Sequence, residues 1–332
     1  MEKLIVSRRL TNHPAKDINI SNMSEKVIKS YKAFDKNMQC RGFQYEVGKE
    51  YEMDGEIKCC ERGFHACKSP MEVWDHYDML SSRFAEVEQS GKIEEERNST
   101  KVCSSHIKIK AELKLADIIK IGVERLKDIT SPTNVKSTGT LNDNGGDYAK
   151  IGSSGYSAQI GSSGYSAKIG SSGYSAKIGS SGDSAKIGSS GDSAKIGSSG
   201  DSAKIGSSGD SAQIGSSGNY AKIGSSGDSA KIGSSGDSAK IGSSGNSAQI
   251  GSSGYSAQIG STGEDSVIMC AGKGSKAKAK VGSWITLTEW EWNDEKNRYV
   301  PVCVKTEYVD GENIKADTWY QLKNGKFIEV TK

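Results

Sequence analysis

Ile recurs at positions 151, 160, 169, 178, 187, 196, 205, 214, 223, 232, 241, 250 and 259, thirteen times at a spacing of nine. Read in that frame, the segment repeats the phrase I-G-S-S-G-x-S-A-K, with Tyr, Asp or Asn at x and Gln sometimes in place of Lys. A fixed period of this kind constrains architecture before any other feature of a chain does. Ala and Ile are the apolar residues of each unit and stand two apart, as Ala185 and Ile187 do around Lys186. Side chains alternate across a strand, so Ser-Ala-Lys-Ile-Gly reads as a short strand with Ala and Ile inward and Lys outward. The Ser-Ser-Gly-x that follows reads as a turn. A helix is excluded, because Gly and Ser dominate the unit and a period of nine holds no stripe at 3.6.

One unit cannot fold alone. Burying its Ile returns roughly 1.5–3 kcal/mol, while ordering each of its backbone residues costs about 1–2 kcal/mol. Stability must come from stacking and from backbone bonds between coils. The fold class that follows is mainly β, a central parallel β-solenoid. Two units per turn give an 18-residue, two-sheeted coil, hence about six or seven coils at the ~4.8 Å strand spacing. A three-sided coil of about 27 residues has the same period and stays open at this level. Gly/Ser-rich tracts are also common as flexible linkers, but a linker has no reason to keep Ile in phase.

The 332 residues allow two or three domains, and a net charge of +3 carries no strong polyanion signature. The apolar run Leu4-Ile5-Val6 is too short for a signal peptide or a membrane span. Seven Cys without an export signal predict free thiols and a cytoplasmic setting. Residues 1–130 read as an α+β head. Val27–Phe34, Phe43–Tyr51, Arg83–Glu88 and His106–Ala111 are its expected strands, with Asp35-Lys36-Asn37 as a turn. Ser69-Pro70-Met71-Glu72 has the form of a capping box opening a short helix through Tyr77. Leu115, Ile118, Ile119, Val123 and Leu126 predict an amphipathic helix, closed by Thr130-Ser131-Pro132-Thr133. Residues 131–147 are then a linker and N-terminal cap, 148–283 the solenoid with degenerate last coils, and 284–332 a β-rich cap. Strands are expected at Trp284–Trp292, Arg298–Val309 and Trp319–Val330, with hairpin turns at Asp310-Gly311 and Asn324-Gly325. Four of the five Trp lie in this tail, which predicts a core of its own there.

Several residue groups invite chemistry. His65-x-Cys67 and Cys103-x-x-His106 offer zinc ligands, although two CxxC knuckles are lacking and Cys is readily buried without a metal. Calcium-binding β-rolls also use nonapeptides, but here Ser stands where that pattern needs Asp, and x is Tyr at 156, 165, 174 and 255. No cofactor is expected. The Asp183–Lys186, Asp192–Lys195 and Asp201–Lys204 spacings form a regular charge ladder, read either as balance on a solvated face or as a surface for a protein partner. Between Asp147 and Gly263, nine Lys face seven Asp, so nucleic acid is not indicated as a partner.

Lys32-Ala33-Phe34, Cys40-Arg41-Gly42-Phe43, Tyr45-Glu46-x-Gly48, Gly63-Phe64-His65-Ala66-Cys67 and Pro70 resemble a domain family of unknown function associated with bacteriophages, prophages and gut-type bacteria. Its members often carry Ser/Gly/Ala repeats and a tail resembling Val309-Asp310-Gly311-Glu312 and Ala316-Asp317-Thr318-Trp319-Tyr320. The resemblance implies a phage-derived protein of the host cytoplasm and no known activity. Gly63-Phe64-His65 before a Pro-capped helix near Tyr77, with Glu86 and Glu88 on a later strand, is also similar to the strand–helix signature of ADP-ribosyltransferase-like folds. Two functional classes follow: a non-enzymatic interaction protein, in which the solenoid is spacer or display surface, or an enzyme whose head is carried on a solenoid stalk. Oligomerisation is compatible with either.

Overall fold

A computed structural model describes residues 26–96, 99–130 and 146–331. The linker expected at 131–147 and the phrase Ser131-Pro132-Thr133 lie mostly outside these residues, as does Leu4-Ile5-Val6. The chain is mainly β, 7% helical against 47% strand.

Four-residue strands recur every nine residues from Lys150–Ser153 to Gln258–Ser261. Each pairs in parallel with the strand 18 positions away: Ile169 stands beside Ile151 and Ile187, and Ile178 beside Ile160 and Ile196. The coil is therefore two-sided, and alternate units build opposite sheets. Each strand is K-I-G-S or Q-I-G-S, shifted toward the C-terminus of the expected strand. Ala185, Ile187 and Ser189 all face inward and are fully buried. The inward Ser extends the alternation one step beyond the apolar pair. Stacking continues through Val267–Cys270, Lys276–Lys278 and the first half of Trp284–Asn293. The solenoid thus has about eight turns over residues 150–287.

At each corner, coils approach more closely than any side chain allows. A Cβ on Gly200 would stand 2.1 Å from the carbonyl oxygen of Gly182, and the same holds for the second glycine of unit after unit. The x residue also bonds between coils. Asp201 N–H donates to Asp183 Oδ1, Asn219 N–H to Asp201 Oδ1 and Asp237 N–H to Asn219 Oδ1. From Ser184 onward the next residue holds φ between 53° and 57° and donates its N–H forward, as Ser184 does to Asp201 O. In the earlier Tyr-bearing corners, Ser175 N–H donates backward to Tyr156 O, and Tyr156 stacks on Tyr174 at 5.3 Å.

The head is built on β1 (Ile28–Phe34), β2 (Gln39–Cys40), β3 (Phe43–Gln44), β4 (Glu50–Glu52), β5 (Phe64–Cys67), β6 (Arg83–Glu95) and β7 (Lys101–Leu113). Its sheet runs β4-β7-β5-β1-β6, and β6 pairs again with β7, so four strands close a ring. Phe34, Phe64, Val87, Ile107 and Ile109 fill one core cluster of the head. The expected strand Phe43–Tyr51 is broken into β3 and β4. The capping box does not form: Pro70–Asp75 is a 3-10 helix, Ser69 makes no side-chain cap, and Glu72 bonds Thr100 and Lys186 instead. A charged tertiary partner has displaced the local bond. The amphipathic helix is present as α1 (Leu115–Thr130).

At the C-terminal end, Arg298–Tyr308 folds back on Trp284–Asn293, and Tyr320–Lys323 pairs with Lys326–Glu329. Asn324 and Gly325, both at positive φ, make the expected hairpin turn. Asp310-Gly311 does not turn a hairpin: it opens the crossing from one sheet to the other. Asp310 Oδ1 caps the N–H groups of Glu312, Asn313 and Ile314 there. The tail has no separate core either, because Ile285, Leu287, Val309, Tyr320 and Leu322 continue the isoleucine columns as one cluster.

Candidate interaction face of the solenoid

The two sheets have the same strand sequence and different fates. One, here the docked sheet, holds the strands that begin at Lys150, Lys168, Lys186, Lys204, Lys222, Lys240, Gln258 and Lys276. The head lies along it. Glycines have no side chain to fill the outer surface between the Lys rows, and head residues fill it instead. A Cβ on Gly188 would meet Leu126, on Gly206 Met71 and Val123, on Gly224 Ile119 and Trp74, and on Gly242 Leu115 and Leu80. Successive turns of α1 thus meet successive coils, because a helical pitch of about 5.4 Å nearly matches a strand spacing of about 4.8 Å.

The lysines of the docked sheet are the polar half of this seam. Lys186 Nζ lies 2.5 Å from Glu72, Lys204 Nζ 2.5 Å from Asp75, Lys222 Nζ donates to Trp74 O at 2.6 Å, and Lys240 pairs with Asp78. Burial pushes the Lys204 ammonium below its ordinary pKa, with Asp75 opposing. Burial acts to raise the Glu72 carboxyl, but Lys186 and Thr100 outweigh it and hold the group below the usual carboxylate range. Asp78 is held low in the same way by Lys240, Ser81 and the Leu80 N–H.

The opposite, open sheet holds the strands that begin at Gln159, Lys177, Lys195, Gln213, Lys231, Gln249, Val267 and Trp284. Its glycines 161, 179, 197, 215 and 233 are exposed, and a Cβ on any of them would meet nothing within 4 Å. Together with the flanking Lys and Gln they line a shallow groove of about 1200 Å³ that runs from Gln159 to Met269. Beyond it the same face turns apolar. Val267, Met269, Trp284, Val304 and Tyr308 point outward and are about half exposed, with Trp284 packed beside Tyr308 at 5.1 Å.

The six residues singled out from the charge ladder therefore separate. Lys186 and Lys204 are engaged by the head; Lys195 is exposed on the open sheet. Asp183, Asp192 and Asp201 sit at the corners and accept backbone N–H groups of the next coil. One sequence signal marks the Asp role: Asn replaces Asp at 219 and 246, which suits an Oδ acceptor and not an ion pair. A second marks the docked face, since its units from 150 to 240 all carry Lys, whereas the other mixes Lys177, Lys195 and Lys231 with Gln159, Gln213 and Gln249. Both require the two-sided coil to be recognised first.

The zinc candidates are held by other partners. His65 Nε2 accepts the Cys60 N–H, Cys103 donates to Arg62 O, His106 Nδ1 contacts Ser90, and burial pushes the Cys67 thiol up to about 12. Among the described residues no group of three or more His, Cys, Asp or Glu is placed to hold a metal. His65 and Tyr77 do line one cavity of the head, but Glu86 pairs with Lys29 outside it. Among the described residues no helix is long and apolar enough to cross a membrane.

The head can be placed by comparison. Residues 28–121 match DUF7666, a domain of unknown function. The match covers the closed ring, the 3-10 helix and the first half of α1, and so includes part of the surface that docks on the solenoid. It assigns no activity to any of these residues. No curated protein and no solved structure matches the chain.

Proposed function

We propose that this protein is a non-enzymatic scaffold whose open sheet binds a protein partner. One observation carries the reading: the molecule already shows what its K-I-G-S surface accepts, because the head occupies one copy of that surface, while among the described residues nothing covers the other. The occupant of the docked sheet is an amphipathic helix with an apolar residue at each turn, flanked by the acids Glu72, Asp75 and Asp78. By the same chemistry, the open groove suits a helix with apolar residues four or three apart over the glycine row and acids toward Lys177, Lys195 and Lys231. The apolar end at Met269 and Trp284 adds an anchor of the kind that dominates interface energetics. Face-to-face pairing of two copies is disfavoured, since it would set lysine rows against each other. The phage or prophage setting implied by the sequence resemblance makes a component of the host cytoplasm, or of the particle, the natural source of the partner.

The solenoid is then a display surface rather than a stalk, because the head lies along it. A photo-reactive phenylalanine analogue placed at Gly197 or Gly215 in the full chain tests this in the native host. A discrete adduct at both positions, absent from a control placed at Tyr165 and lost on Lys177, Lys195 and Lys231→Glu, is the expected result. Adducts of twice the chain's mass would show a self-associating face instead, and no adduct at either position would overturn the reading.

A further inference from the structure

The head contains a second site, independent of the solenoid faces. A cavity of about 850 Å³ opens between the ring and the 3-10 helix, within the size range of small-molecule sites. Lys32 of β1, Arg41 of the β2–β3 turn, His65 of β5 and Lys101 of β7 bring basic groups to its wall, and Phe43, Tyr45 and Tyr77 supply flat apolar surface. The turn itself is Arg41-Gly42, at φ 52° and 78°, and it sets Arg41 at the cavity.

Lys32 is the unusual member. It is only 4% exposed, yet among the described residues no carboxylate pairs with it. Its ammonium has three donors. One goes to His65 O at 2.9 Å, a second contact is Cys40 Sγ at 3.5 Å, and the Cys40 sulfur is itself 2.7 Å from the Tyr77 hydroxyl. Burial pushes the Lys32 ammonium below its ordinary pKa, and the Phe34 and Tyr45 rings, with centroids 5.7 and 5.4 Å from Nζ, offset that only in part; an anion in the cavity would supply the missing counter-charge and keep the group protonated. Among the described residues three acids line the cavity and none pairs with Lys32: Glu61 is held by Lys58 at 2.6 Å, Asp75 by Lys204 at 2.5 Å, and Glu52 is exposed on β4. The basic groups also act on one another, since His65 is pushed below its ordinary pKa by burial and then by Lys32, Lys101 and Arg41.

We propose that this cavity binds a small organic anion, a phosphate or carboxylate on a flat ring-bearing body, with Lys32 meeting the charge at depth and Arg41 closing over it. Lys32 recognises the anion as a point charge, and Arg41 as a planar fork. The aromatic wall takes the remainder of the molecule.

The probe is pyridoxal 5′-phosphate, which carries a flat ring, a phosphate and an aldehyde that condenses with a neighbouring amine. Borohydride fixes the adduct, and peptide mass mapping of the wild-type chain reads it out. Only the unprotonated amine condenses, so Lys32 should label, in the absence of other anions, at concentrations at least about tenfold below those that label the exposed Lys36, and an anion held as its counter-ion should keep it protonated and unreactive. Arg41→Gln should raise the concentration needed several-fold. Inorganic phosphate and acetate form competing arms, and whichever protects Lys32 identifies the anionic group. Labelling of Lys32 no stronger than that of Lys36, or labelling that neither anion reduces, would overturn the proposal.

Discussion

Lys204 reaches Asp75 at 2.5 Å across 129 positions of sequence, and the two partners are unequally buried: 8% of the Lys204 side chain is exposed against 42% of the Asp75 side chain. The asymmetry predicts an asymmetric response. Asp75→Ala strands a buried ammonium and should cost up to about 3–5 kcal/mol. Lys204→Met leaves a carboxylate that faces water and still has Lys222 at 3.8 Å, and should cost about 1 kcal/mol or less. Denaturant unfolding of the two variants checks the order; equal losses would contradict it.

Glycines that look equivalent in the repeat should behave differently. Gly200→Ala drives a Cβ to 2.1 Å from the Gly182 carbonyl oxygen, so at least one coil must separate. A loss above about 3 kcal/mol or failure to fold is expected, at the upper end of single-mutation effects. Gly197→Ala places its methyl in open solvent and should change stability by less than about 1 kcal/mol in either direction. Thermal midpoints of the pair measure this directly.

Asp201 serves the Asn219 N–H through Oδ1. Asp201→Asn keeps the acceptor and should be nearly silent, while Asp201→Ala removes it and should cost about 1–2 kcal/mol. If the aspartates served instead as charges for the lysine rows, the two variants would lose stability alike.

Two inward hydroxyls predict opposite outcomes. Ser207 Oγ is buried with no partner among the described residues, so Ser207→Ala should be neutral or stabilising by about 1 kcal/mol. Ser275 Oγ accepts the Ala257 N–H at 3.0 Å and donates to Gly254 O, so Ser275→Ala should be destabilising by about 1 kcal/mol. A calorimetric comparison of the two variants decides it.

Acid should loosen the head from the solenoid before it unravels the coils. Glu72 and Asp78 titrate below their ordinary range in the folded chain. Their contribution is therefore fully present above the ordinary carboxylate pKa of about 4 and is lost as pH falls through the depressed folded values. Amide exchange in α1 should rise between about pH 4 and pH 2 while the isoleucine strands stay protected. Glu72→Gln should show the looser α1 already at neutral pH.

The repeat determined the solenoid and the inward Ala and Ile, because a strict period leaves few ways to bury one Ile per unit; that two units and not three make a coil was decided by the pairing of strands 18 positions apart. The helix at Leu115–Thr130 was legible for the same reason, as a stripe at helical spacing. Local patterns failed where a distant group offered a stronger bond. Glu72 left its cap for Lys186, Asp183 and Asp201 served the next coil's backbone rather than the lysine three residues on, and the tail's apolar residues joined the isoleucine columns rather than forming their own core. Which of two chemically similar sheets the head would cover, and that Lys32, Arg41 and His65 would share one cavity, only the tertiary structure decided. The reason is physical: side-chain periodicity records which face of an element avoids water, whereas pairing across a hundred residues is settled by how whole surfaces fit.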